Sequence, residues 1–185
     1  MPDRPSRERD GEAAAPSRLT THLARWRVPL GYALALIVFW FADPTPRSLA
    51  AGGMLAAAGE ALRIWAAGHL EKGREVTTSG PYAFTRHPLY VGSTLMGVGL
   101  AIASHHGIVA ALVSLYLVAT ITAAMRSEEA HLTDKFGAQY PAYRQGMAVP
   151  GARRFSLARA VRNREYRALA GAVAAFALLA AKAYF

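Results

Sequence analysis

Apolar residues fall in five long runs separated by short polar breaks. The first, 28–42, holds Ile37, Val38, Phe39, Trp40 and Phe41 and ends at Asp43-Pro44-Thr45-Pro46, where two prolines and a capping acid break the helix. The second, 48–70, is interrupted only by Glu60 and Arg63. A third covers 88–104, a fourth 107–125, and a fifth runs from 168 to the C-terminus with Lys182 as its only charge. A spanning helix needs roughly 20 mainly apolar residues, and a soluble core helix rarely stays apolar all round beyond ~14. Runs three and four meet at Ser104-His105-His106-Gly107, a turn short enough to force an antiparallel hairpin. A soluble chain of 185 residues has too little other material to cover five such helices. The pattern predicts an all-α, polytopic membrane bundle of about five transmembrane helices.

Composition agrees, and charge adds an orientation. The chain is 53% hydrophobic and 18% charged, which excludes disorder, and it has no cysteine, which excludes disulfides, thiolate nucleophiles and thiolate metal sites. A net charge of +9 would ordinarily raise nucleic acid as a partner. Segregation of the charges removes that reading. Six arginines lie in the arm 1–27, three basic residues in the loop 69–87 and nine in 126–167, which is 18 of the 21. Those three segments fall on one side of an alternating bundle, and the positive-inside rule makes that side cytoplasmic. The expectation is an inner-membrane protein with a disordered basic cytoplasmic arm, 1–27, and a membrane-embedded domain, 28–185. The last helix then runs outward. The arm is too polar for a cleavable signal peptide.

The residues with chemical potential sit in two inward segments. In the first, Gly80-Pro81-Tyr82 sets a turn, and Pro88 can open the third helix at its first position, where no backbone donor is lost. Arg86 and His87 then flank the positive end of that helix, with Tyr90 a turn inside, an arrangement suited to an anionic ligand group. In the second, the fourth helix is predicted to run on until Gly137. Met125, Glu128, Glu129, Leu132 and Phe136 share one face. Carboxylates on an apolar face need a partner, and Arg126 or an arginine of the first loop is the right type. The pattern leaves open whether Glu128 and Glu129 face such a partner or water.

The loop Arg86-His87-Pro88-Leu89-Tyr90-Val91-Gly92, preceded by Gly80-Pro81-Tyr82, resembles the signature of isoprenylcysteine carboxyl methyltransferases. The later Glu128-Glu129, Leu132, Phe136-Gly137, Tyr140 and Tyr143 resemble that family's C-terminal block, a pattern shared with phospholipid N-methyltransferases. The resemblance covers about 62–150, with the signature loop at 80–92 and the block at 126–150. It implies a cytoplasmic pocket for S-adenosylmethionine lined by Tyr82, His87, Pro88, Leu89 and Tyr90, completed by Glu128, with His69 near the cofactor. It also implies a lipophilic or lipid-anchored substrate drawn from the bilayer. The family's substrate-side arginine aligns with Ala124, which leaves Arg126, two residues later, as the candidate.

A sulfonium methyl is already activated, so catalysis rests on holding nucleophile, carbon and sulfur in line, where orientation contributes on the order of 7–11 kcal/mol. A carboxylate acceptor needs desolvation and a cation, for which Arg126 or Arg86 serves. An amine acceptor needs a proton acceptor, for which Glu129 or His87 serves. The expected reaction is carboxyl O-methylation of an isoprenylcysteine-like substrate, with phospholipid N-methylation as the alternative. Glu60 and Arg63, three apart in the second run, read as a structural pair, while a mid-span acid alone would motivate a proton-coupled transporter. The six histidines lack metal-ligand spacing. Gly52-Gly53 and Gly97-Val98-Gly99 read as helix-packing positions.

Overall fold

A computed structural model describes residues 18–184. All five apolar runs are helical: α1 (Arg18–Phe41), α2 (Pro46–Ala67), α3 (Pro88–Ser104), α4 (Gly107–Phe136) and, after two short helices, α7 (Tyr166–Tyr184). The short helices are α5 (Gln139–Arg144) and α6 (Leu157–Arg162), and a 3-10 turn covers Gly80–Ala83. No strand occurs among the described residues. Helices α4 and α7 are long and apolar enough to cross a membrane, and Pro29–Phe41 and Pro88–Ser104 are shorter apolar helices. The apolar window of α7 is only 6% buried, so its side chains face outward rather than into a core. Trp40, Leu36, Leu115 and Val118 are likewise exposed. An apolar exterior on a helical bundle belongs in lipid, where only closed backbone hydrogen bonding is tolerated. The chain is a membrane helical bundle.

The local signals set most helix ends. Pro46 occupies the first turn of α2, which makes Thr45 the cap: Ser48 N–H donates to Thr45 Oγ1 at 3.1 Å and Thr45 N–H to Ser48 Oγ at 2.9 Å. The cap is therefore Thr45 and not the acid Asp43, whose N–H instead donates to the Ser104 carbonyl at 2.8 Å. His105, at φ 51, closes α3, and His106 opens α4, giving the antiparallel hairpin. Helix α1 begins at Arg18, ahead of the apolar run, because no breaker separates 18 from 28 and propagating an existing helix costs little. The part of the expected disordered arm from 18 to 27 is thus helical, and its residues 1–17 lie outside the described residues.

Helices α2 and α3 cross at small residues. A Cβ on Gly59 would stand 2.6 Å from the Gly92 carbonyl oxygen, and one on Gly92 the same distance from the Gly59 oxygen. Gly52 and Gly99 face each other in the same reciprocal way, with Ala56 and Ala103 beside them. Removing side chains lets the backbones approach, which is how helices associate where lipid offers no hydrophobic drive. Helix α1 rests on α4 through Val38, Val109 and Val113, and α7 joins the bundle through Leu179 against Ala42 and Ala103. Lys182, near the end of α7, donates to the last carbonyls of α1, Phe39 O at 2.7 Å and Trp40 O at 2.8 Å. The last helix therefore runs from the signature-loop end to the Asp43 turn.

The expected pairing of Glu60 with Arg63 is present as a long ion pair, and a closer partner joins it. Arg63 Nε donates to Glu165 Oε1 at 2.6 Å, whereas Glu60 Oε2 stays 3.9 Å away. Glu165 immediately precedes α7, and no spacing rule connects residues this distant in sequence.

Candidate active site

The signature loop is built on His69. Gly80, at φ +58, sits over that imidazole so closely that a Cβ would be 2.7 Å from three ring atoms. Only glycine meets both demands. His69 is buried, its Nδ1 3.0 Å from the Trp65 carbonyl and its ring against Phe155, so the structure places it beneath the loop. It does not line the cavity described below. Pro81 and Tyr82 are buried above it, and the Tyr143 hydroxyl donates to the Tyr82 carbonyl at 2.6 Å. That bond ties α5 to the loop.

Pro88 is buried at the first position of α3, and His87 is the cap residue. The His87 side chain makes no capping bond, which leaves Nε2 to lie 2.9 Å from Glu129 Oε1. A carboxylate only accepts, so Nε2 carries the proton in this pair. Arg86 Nη1 stands 3.6 Å from the same oxygen. The Tyr90 ring packs 5.8 Å from the imidazole. Leu89 contributes its carbonyl, which accepts from Arg63 Nη1 at 3.3 Å and from Ser93 Oγ at 2.9 Å. Arg63 also reaches Ser93 Oγ, so the first turn of α3 is held by a guanidinium that Glu165 fixes from behind.

The two neighbouring carboxylates part ways. Glu129 is half-buried and turned to Arg86 and His87, while Glu128 is exposed and within electrostatic range of the Tyr82 hydroxyl. Arg126, a turn before Glu129, is exposed and makes no ion pair among the described residues. The arginine beside the carboxylate is Arg86. Burial pushes the phenols of Tyr82, Tyr140 and Tyr143 up; for Tyr82 the charge of Glu128 adds to this, and for Tyr140 that of Glu129. All three are therefore neutral hydrogen-bond donors at physiological pH.

Beside this cluster a cavity of about 470 Å³ opens between the loop and the segment after α4, with Thr78, Tyr82, Arg86, Tyr143, Arg144 and Pro150 among its walls. Its size is that of a small-molecule site. Cations and aromatic rings share its walls.

Several contacts that shape the site carry no signal in the sequence. Glu71 accepts from Arg159 Nε at 2.8 Å and lies 3.3 Å from Arg162 Nη2, and Glu75 pairs with Arg153 at 2.6 Å. Gly151 N–H donates to Thr78 Oγ1 at 2.9 Å. These bonds fasten the 69–87 loop to the basic stretch before α7. Charge complementarity between the two segments was visible in their composition, but not which residues would meet.

The sequence model of the phospholipid methyltransferase family matches residues 26–139, which takes in α1 to α4, the signature loop, His87 and Glu129. The chain is similar to the nickel-cobalt-cadmium resistance protein NccN of Alcaligenes xylosoxydans xylosoxydans, 32% identical over 135 residues, covering 66% of this chain and 63% of that protein. It is similar also to the cobalt-zinc-cadmium resistance protein CzcN of Cupriavidus metallidurans, 32% identical over 126 residues, covering 64% of this chain and 58% of that protein. The match thus spans less than two thirds of either relative's length. No solved structure matches. By the span of the family match, the chain belongs to the phospholipid methyltransferase family, within the group of membrane methyltransferases related to the isoprenylcysteine carboxyl methyltransferases.

Proposed function

We propose that this protein transfers the methyl group of S-adenosylmethionine to a lipophilic acceptor, at the cytoplasmic face of the membrane. The observation that carries the reading is the juxtaposition of the Arg86–His87–Glu129 cluster with the cavity walled by Tyr82, Arg86 and Tyr143. The residues present suit that cofactor: Tyr82 and Tyr143 offer aromatic and donor surface, and Arg86 and Arg144 offer cations for a carboxylate. When bound, the cofactor supplies an activated methyl. The chain's own contribution is placement and removal of water and a proton. The proline-fixed start of α3 and the Arg63 clamp hold His87 rigidly, and orientation of this kind is worth roughly 7–11 kcal/mol of barrier.

Glu129 already has two cationic or donor partners, His87 and Arg86. Both meet one oxygen, Oε1, and we read Glu129 as the group that takes the proton of an amine acceptor, such as that of a phospholipid headgroup, on its second carboxyl oxygen. A carboxylate acceptor, as in isoprenylcysteine, is the second reading. It is favoured by Arg144, which lines the cavity and makes no ion pair among the described residues.

The test is calorimetric titration of the detergent-purified chain with S-adenosylmethionine, followed by methyl-transfer assays on phosphatidylethanolamine and on a prenylated cysteine. Binding by the wild type, with methylation lost in His87→Ala and Glu129→Ala but retained in Glu60→Gln, is the expected result. A wild-type protein that binds no cofactor refutes the methyltransferase reading.

A further inference from the structure

Helix α5 presents two tyrosines with unlike fates. Their rings lie 6.2 Å apart, and Tyr143 is satisfied by its bond to the Tyr82 carbonyl. Tyr140 is 2% exposed, and its hydroxyl has no hydrogen-bond partner among the described residues. A buried phenol left unpartnered costs stability, and native structures keep few such groups. Nothing in the fold of α5 requires it, since phenylalanine fills the same space. Tyr140 shares a helix face with Tyr143 and Arg144, three and four residues on; both of those line the 470 Å³ cavity, while Tyr140 itself is not among its walls. The charged groups around its hydroxyl are Glu129 and Glu128 from α4 and Arg86 from the signature loop. Burial and the carboxylate of Glu129 keep the phenol protonated, so it is a donor. Glu129 Oε1 is already taken by His87 and Arg86.

We propose that the Tyr140 hydroxyl is a cofactor-binding donor, which pairs with Arg86 to hold the carboxylate of the bound cofactor's amino-acid tail. A cation and a neutral donor together make a carboxylate cradle, whereas Glu129 and Glu128 on the same side exclude any anion that lacks such a cradle. The assignment rests on the methyltransferase reading. It adds to that reading a residue that gives the protein a reason to keep an orphaned hydroxyl.

The experiment compares the full-length wild type with Tyr140→Phe in detergent, by thermal melting without ligand and by calorimetry with S-adenosylhomocysteine and 5′-methylthioadenosine. The second ligand keeps the adenosine and lacks the amino-acid carboxylate. The expected result is an unliganded melting temperature equal to or above the wild type, because an unpartnered polar group has been removed. Affinity for S-adenosylhomocysteine should fall by roughly tenfold or more, the worth of one hydrogen bond to a charged acceptor, with 5′-methylthioadenosine unaffected. Two results overturn the proposal: a clearly lower unliganded melting temperature, which means a structural partner, or unchanged S-adenosylhomocysteine affinity. An equal loss for both ligands overturns the carboxylate assignment. Absence of binding by the wild type removes the methyltransferase reading and the inference together, whereas wild-type binding with an unaffected variant removes the inference alone.

Discussion

Arg63 donates to Glu165 at 2.6 Å, across the junction of α2 with the start of α7, while Glu60, its own helix neighbour, stands 3.9 Å off with both carboxyl oxygens buried and without a hydrogen bond among the described residues. One acid holds the guanidinium that steadies the first turn of α3. The other keeps only a long ion pair to it.

That asymmetry predicts opposite outcomes for two similar substitutions. Glu165→Ala takes from the half-buried Arg63 its closest carboxylate and should destabilise the protein by on the order of 1–3 kcal/mol. Glu60→Gln removes a carboxyl that has no hydrogen bond and should leave the melting temperature unchanged or raise it. Thermal melts of both variants in the same detergent decide this, and a larger loss for Glu60→Gln would show that the partners have been assigned the wrong way round.

The α2–α3 crossing should be intolerant of single methyl groups. Gly59→Ala or Gly92→Ala puts a Cβ 2.6 Å from a backbone carbonyl oxygen of the facing helix, which cannot swing aside. Such overpacking costs about 1–3 kcal/mol. Gly171→Ala on α7, where a Cβ meets nothing within 4 Å, should be harmless or mildly stabilising. Equal tolerance at all three positions in a melting assay would contradict the close crossing.

Acid should loosen the signature loop before it affects the bundle. The hydrogen bond from Arg159, with the charges of Arg162 and Arg153, holds the Glu71 carboxyl below its ordinary value of 4.5. A carboxyl lowered in the folded state contributes stability that is complete above 4.5 and disappears as pH falls from there through the folded value. Amide protection in residues 69–79, taken relative to the intrinsic exchange rate at each pH, should therefore fall below that pH in the wild type. In Glu71→Gln it should already be low at neutral pH and show little further change. A pH-independent wild-type loop would refute the staple.

The His87–Glu129 pair should govern turnover more than folding. Replacing Glu129 by Gln keeps an acceptor oxygen for His87 but removes the charge, and should lower methyl transfer to an amine by roughly 10²–10⁴-fold with little change in melting temperature. If acceptors with a carboxylate lose as much as amines, the pair acts through placement and not through proton removal. Rates on the two acceptor types, measured side by side, separate these roles.

Local rules made the helical frame legible. Apolar run length marked the helices, Pro88 marked the start of α3, Gly137 marked the end of α4, and Ser104-His105-His106-Gly107 marked the hairpin. Gly52 and Gly99 were recognisable as packing positions because they lie within long apolar helices, and their reciprocal approach agrees, whereas the Gly59–Gly92 contact was not legible. Residue type at the signature loop pointed to 82–90 as a candidate site, and the structure brings Arg86 and His87 of that loop to Glu129. Side-chain period could not choose between Glu128 and Glu129, since adjacent positions on a helix differ by about 100° and both border the same face. Arg86 and His87, brought from the loop, made the choice for Glu129.

By itself, then, the sequence determined what neighbours along the chain can determine: five helical segments, most of their ends, and a loop of the right residue types for a candidate site. The tertiary structure alone decided which carboxylate meets His87, that Arg63 sits closer to Glu165 than to Glu60, that His69 supports the loop from below, and that Tyr140 is buried without a hydrogen-bond partner among the described residues. The physical reason is range. Capping, helix period and turn chemistry act over a few residues, whereas the His87–Glu129 and Arg63–Glu165 pairings join residues 42 and 102 positions apart and exist only once the helices have packed.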